Sequence, residues 1–175
     1  DLLIYAKNGN RPGLLEHLAE LFPRHVQIHY GQYRREQLFE AARRSRACAY
    51  LADDDHGPLA LQEILLAGCP AVGVRTGAAF VQHGVTGHLV DRLPPGRQCV
   101  TSDDEERALV SYLHALGQAQ AMDRQAVRAA AAAQFDSEGI VGALLATITA
   151  IRHPQSTVAN PASYPGSDHS SSHLR

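Results

Sequence analysis

The chain has little charge, few cysteines and no long apolar run. Lys, Arg, Asp and Glu make up only 19% of its 175 residues, and the net charge is −2. A basic stripe that tracks a phosphate backbone is therefore not expected, and nucleic acid is not an expected partner. No segment approaches the roughly 20 consecutive apolar residues of a membrane-spanning helix. The three cysteines, Cys48, Cys69 and Cys99, are too widely spaced for zinc-ligand pairs and too few for a disulfide framework. They read as reduced core thiols in a cytoplasmic protein. The single methionine is Met122, and the chain opens at Asp1 directly on an apolar run without a leader pattern. The expectation is a piece of a longer protein with a domain missing upstream. A hydrophobic share of 45% excludes a disordered chain.

Short apolar runs alternate with segments of helical spacing. Leu2–Ala6, Val26–Tyr30, Ala47–Ala52, Ala71–Val74 and Gly87–Val90 are five strand candidates. Helices are expected from Pro12 to Phe22, Glu36 to Arg44 and Pro58 to Gly68, with Pro58 in a first helical turn and Gly68 at an end. Helical pattern resumes from Asp103 through Leu116, from Met122 to Gln134 and from Ser137 to Ile151. This alternation predicts an α/β, Rossmann-like three-layer domain over residues 1–152, with a mostly parallel sheet and helices on both faces. Residues 153–175, rich in Ser, Pro and His, are expected to be a disordered tail.

Ligands of such sheets sit outside the carboxyl ends of the strands. Three segments occupy that edge: Lys7 to Arg11, Asp53 to Gly57, and Arg75 to Ala79. Glu63 is the only ionisable residue of the Pro58–Gly68 helix, and its neighbours three and four positions away, Leu59, Ala60, Leu66 and Ala67, are all apolar. A carboxylate so placed either accepts hydroxyls of a sugar or ribose diol or pairs with an arginine at the rim. Asp55 precedes it by eight positions, so both acids can edge one pocket. Lys7 and Arg11 can neutralise a diphosphate. Gly57 lets the backbone come close to a ligand, and the free amides of the helix start can receive an anion. Gly77 and Ala78 permit close approach of a sugar, or simply form a tight turn. His56, in the acidic loop, either touches a ligand or is simply a solvated loop histidine. The segment Asn8 to Gly13 lacks the G-x-G-x-x-G spacing of a dinucleotide site, and no Ser/His/Asp or Cys/His nucleophile arrangement stands out.

Asp55-His56-Gly57-Pro58-Leu59-Ala60-Leu61-Gln62-Glu63, continued by Ile64 to Gly68-Cys69-Pro70-Ala71-Val72, resembles the E-x7-E region of family 4 glycosyltransferases. Gly77 to Val90 resembles that family's glycine turn and following strand, and Phe135-Asp136-Ser137-Glu138 its entry to a late helix. The resemblance implies the carboxyl-terminal, donor-binding half of a GT-B fold and a retaining transfer of a glycosyl unit from a nucleotide diphosphate sugar. It implies Glu63 on the donor ribose, Asp55 on the donor sugar, Lys7 and Arg11 on the diphosphate, and Gly57, Pro58, Leu59, Gly77 and Ala78 against the donor. It implies no metal and no further cofactor. The acceptor, a glycan or lipid-linked sugar, and any contact with the inner membrane face would belong to the missing domain.

Four positions depart from the family pattern. Asp55 replaces a Glu, Pro58 stands where a Gly is usual, Phe80 lies where a Glu follows the glycine turn, and Lys7 and Arg11 are one residue closer than the usual pair. Two other readings compete. One is a non-catalytic nucleotide- or partner-binding module. The other is a phosphoacceptor receiver, which also carries an Asp after its third strand. A receiver wants acids after its first strand, where this chain has Lys7 and Asn8.

Overall fold

A computed structural model describes residues 1–7, 12–91 and 102–139, together with 141, 142 and 145. Five strands form one sheet: β1 (Leu2–Ala6), β2 (His25–His29), β3 (Ala47–Leu51), β4 (Ala71–Val74) and β5 (Gly87–Val90). Their order is β2-β1-β3-β4-β5, and every neighbouring pair is parallel. The helices are α1 (Pro12–Leu21), α2 (Arg35–Arg44), α3 (Leu59–Leu66), α4 (Ser102–Gln120) and α5 (Arg124–Gln134). The α/β three-layer architecture is the expected one.

The layers follow from strand periodicity. Every residue of β1, β3 and β4 is buried, as continuous apolar runs covered on both faces must be. Leu3, Tyr5, Cys48, Tyr50 and Ala71 pack with Leu38 and Ala42 of α2, Leu61 and Ile64 of α3, and Ala131 of α5. Their neighbours Leu2, Ile4, Ala47, Ala49, Val72 and Val74 pack with Leu14 and Leu18 of α1 and Tyr112, Leu116 and Ala119 of α4. The chain moves from β1 to β2 on one side, then returns past β1 to β3. With right-handed crossovers this reversal places α1 on one face and α2 and α3 on the other. It also opens a crevice at the carboxyl ends of β1 and β3.

Element ends differ from the sequence expectation by a few residues, each with a local cause. Pro58 is the residue before α3 rather than its first helical residue, with ψ at 73°. Gly68 adopts φ of 76°, and the Gly68 amide donates to Leu65 O while the Cys69 amide donates to Ile64 O. This pair of bonds is the Schellman ending that a left-handed glycine permits. The fourth helix runs on past Leu116 to Gln120, because Gly117 alone does not stop a helix that buries Ala119. Asp123 caps α5, accepting from the Gln125 amide at 2.9 Å.

Arg124 ties three helices together. Its guanidinium donates to Ser45 O at 2.6 Å, Ala42 O at 3.0 Å and Ala67 O at 3.3 Å. These carbonyls lie at the ends of α2 and α3, where intrahelical donors run out and the helix dipole favours a cation. Cys48 and Cys69 are buried free thiols. Burial pushes the Cys69 thiol up to about 12 and raises that of Cys48 well above its ordinary value, so neither is a reactive thiolate. Cys99 lies outside the described residues.

His88 on β5 is half-buried, and its Nδ1 has no hydrogen-bond partner among the described residues. Burial, then His83 and then His114, lower its pKa below the usual 6.5. The folded chain therefore resists a proton that the unfolded chain accepts from about pH 6.5 downward. Its contribution to stability is whole above that pH and is lost as the pH falls toward the lowered value. Urea midpoints measured from pH 7.5 to 5.5 should fall with acidity, and His88→Gln should flatten that slope. An unchanged slope in the variant contradicts the assignment.

The first 136 residues form one compact unit, and the chain from 137 onward another. Of the second unit, residues 137–139, 141, 142 and 145 are helical. The rest of the expected Ser137–Ile151 helix and the tail at 153–175 lie outside the described residues.

Candidate functional site

A cavity of about 460 Å³ opens at the crevice between the carboxyl ends of β1 and β3. Its walls come from the ends of these strands, the turn after β2 and the start of α3. Lys7, Asp55, Gly57, Pro58, Leu59 and Glu63 all line it. Six of the expected site residues, from segments some fifty positions apart in sequence, thus share one cavity.

Asp55 forms the floor. It is only 5% exposed. Lys7 Nζ stands 2.8 Å from Oδ1, and the Tyr50 hydroxyl donates to Oδ2 at 2.8 Å. The Gly57 amide reaches Oδ1 at 3.4 Å. The Asp55 amide in turn donates to Thr76 O at 3.1 Å, and the Thr76 hydroxyl donates to Asp53 O. The acidic loop is thereby fastened to the turn after β4. A buried carboxylate is tolerable because a cation and two donors meet it. Asp55 is therefore shielded and engaged, rather than projecting into the cavity as a free acid.

Above it stands a group of tyrosines. Tyr5 and Tyr50 are register partners on β1 and β3, and their rings stack at 4.9 Å and 4°. Tyr33 meets Tyr5 edge to face at 5.9 Å, with the two hydroxyls 3.4 Å apart. Burial raises the pKa of Tyr50 strongly, and its hydrogen bond to Asp55 raises it further. Burial does the same for Tyr5, with the Tyr33 hydroxyl adding to it. Both phenols stay protonated, and Tyr50 serves as a hydroxyl donor to Asp55. Lys7 Nζ also lies 4.8 Å from the centroid of the Tyr30 ring.

Glu63 projects from the flank of α3 with its side chain about one-fifth exposed. It lines the cavity and pairs with Arg35, whose Nε lies 2.5 Å from Oε1. The carboxylate faces the crevice, and an arginine accompanies it as the rim-pairing alternative expected.

The remaining expected residues fall elsewhere. His56 is not among the cavity-lining residues; its side chain is 92% exposed and sits 3.5 Å from Asp54. Gly77 and Ala78 are buried and do not line the cavity either. A Cβ on Gly77 would stand 1.6 Å from Ala52 O, so packing against the residue after β3 is enough to require glycine there. The tight-turn reading accounts for both residues. Arg11 lies outside the described residues.

Tyr5, Tyr30, Tyr33, Tyr50 and Arg35 were not legible as site residues from spacing alone. One signal was present: LLIYA and ACAYL carry tyrosine at the same fourth place. A hydroxyl inside a buried strand must find a partner, and near the carboxyl end that partner is the loop beyond. Among the described residues no group of three or more His, Cys, Asp and Glu is disposed to hold a metal ion. Nor is any described helix long and apolar enough to cross a membrane.

No family model matches the chain, and no curated protein matches it. Among solved structures it is similar to AviGT4, a glycosyltransferase involved in avilamycin A biosynthesis. The TM-score is 0.37 and the identity 18%, over 75% of this chain and 45% of that one. The chain thus spans less than half the length of that enzyme.

Proposed function

We propose that the chain is the donor-binding domain of a retaining glycosyltransferase that takes a glycosyl unit from a nucleotide diphosphate sugar. The observation that carries this reading is the single cavity lined by Lys7, Asp55, Gly57, Pro58, Leu59 and Glu63. It lies where an open parallel sheet receives ligands, at the reversal of strand order. The E-x7-E-like pattern of Asp55 and Glu63 supports the same assignment.

In this reading the leaving diphosphate is met by Lys7 and by the amides at the start of α3. The charge of the leaving group is carried by cations, with no metal required. Glu63 accepts hydrogen bonds from the ribose hydroxyls, for which an ionised carboxylate is suited. Asp55 acts from beneath. It is held by Lys7 and Tyr50, fixes the ammonium at the cavity floor, and adds negative potential near an oxocarbenium-like sugar. The acceptor glycan or lipid-linked sugar is bound by a further domain of the whole protein.

A thermal-shift panel of UDP, GDP and ADP sugars tests the reading. A donor at 100 times its dissociation constant stabilises the chain by about 2.7 kcal/mol. Glu63→Ala should remove most of that shift. If no nucleotide moves the melting point, or Glu63→Ala responds like the parent chain, the assignment is wrong. A second reading, nucleotide binding without transfer, is favoured by one observation: both acids already have cationic partners. Transfer by the whole protein separates the two.

A further inference from the structure

We infer that Arg35 is a positioning residue, one that presents the Glu63 carboxylate to a ribose diol. The inference rests on the nucleotide-binding reading of the same cavity. Glu63 extends from α3 among Leu59, Ala60, Leu66 and Ala67, which offer it no hydrogen bond from their side chains. A glutamate there has three rotatable bonds and no fixed direction of its own. The first residue of α2, Arg35, supplies one. Its Nε lies 2.5 Å from Glu63 Oε1, and its guanidinium lies over the Phe39 ring, 5.5 Å from the centroid. Phe39 is one turn along the same helix, so the arginine is braced from its own helix while it reaches across to the next.

The energetics direct the effect toward orientation. The Arg35 side chain is 70% exposed, and an ion pair so open to water contributes little to folding. What the pair does fix is where a carboxylate oxygen stands on the cavity wall. Arg35 lines the same cavity, so the fixed geometry is at the ligand's side of α3.

The test compares ribonucleoside diphosphates with their 2′,3′-dideoxy forms. Binding of UDP, GDP and ADP and the dideoxy partner of each is measured calorimetrically on the full 175-residue chain, on Arg35→Met and on Phe39→Leu. The parent chain should prefer the ribose form by about tenfold or more, the scale of one hydrogen bond to a charged group. In Arg35→Met the preference should fall below about threefold, through a selective loss of affinity for the ribose form. Lost diphosphate attraction acts on both ligands alike and cancels in the ratio. Phe39→Leu should lower the ratio in the same direction and serves alone if Arg35→Met does not fold. A parent chain that binds no nucleotide removes the functional reading and this inference together. A parent preference that survives in both variants overturns the inference and leaves the functional reading standing.

Discussion

Gly77→Ala is expected to destabilise the domain by more than about 4 kcal/mol, a large part of the 5–15 kcal/mol typical of a folded domain. The added Cβ would stand 1.6 Å from Ala52 O and 2.5 Å from its carbonyl carbon. Both are backbone atoms, so no side-chain rotation relieves the clash. Either the turn after β4 lifts away or the segment after β3 is displaced. The second movement would carry the loop that holds Asp55, whose amide bonds Thr76 O. Gly57→Ala is the matched control: nothing stands within 4 Å of a Cβ there. Denaturant unfolding of the two variants decides the matter. Equal stability of both would show that close packing is not what the Gly77 position demands.

Asp55→Ala carries the second large effect, a loss of roughly 3–5 kcal/mol, the range for breaking a buried ion pair from one side. The substitution leaves Lys7 Nζ, on a side chain only 19% exposed, without its carboxylate, and the Tyr50 hydroxyl without its acceptor. A double-mutant cycle isolates the pair. Lys7→Met alone leaves the carboxylate with Tyr50 and the Gly57 amide. Combining it with Asp55→Ala removes the stranded ammonium, so the double variant should lose less than the two single losses added. Strict additivity would mean that Lys7 and Asp55 do not act on each other. Asp55→Asn keeps an acceptor for Tyr50 and should fall between parent and Asp55→Ala.

The fold was legible because burial imposes simple periods. Continuous apolar runs gave β1, β3 and β4, and threefold and fourfold spacings gave the helices between them. The strand order was not legible, since nothing in Leu2–Ala6 names its two neighbours. Yet that order puts the crevice beside Lys7 and Asp55. Lys7 and Asp55 could be placed at one edge because each follows a strand, and Glu63 because its helix begins there. Their partners could not. Glu63 meets Arg35 across two helices, and Arg124 gathers carbonyls from α2 and from the residues that end α2 and α3, contacts that no local pattern encodes. Gly77 shows a different limit. A ligand and a neighbouring backbone both require a missing side chain, and only the position of Ala52 separates them.

We propose that the cavity beside β1 and β3 holds a nucleoside diphosphate through Lys7 and Glu63. A crystal structure of the chain with the nucleoside diphosphate that stabilises it most tests this directly. Ribose hydroxyls are expected within hydrogen-bond distance of the Glu63 carboxylate, and diphosphate oxygens at Lys7 and the start of α3. A nucleotide bound elsewhere, with Glu63 touching only Arg35, would contradict it.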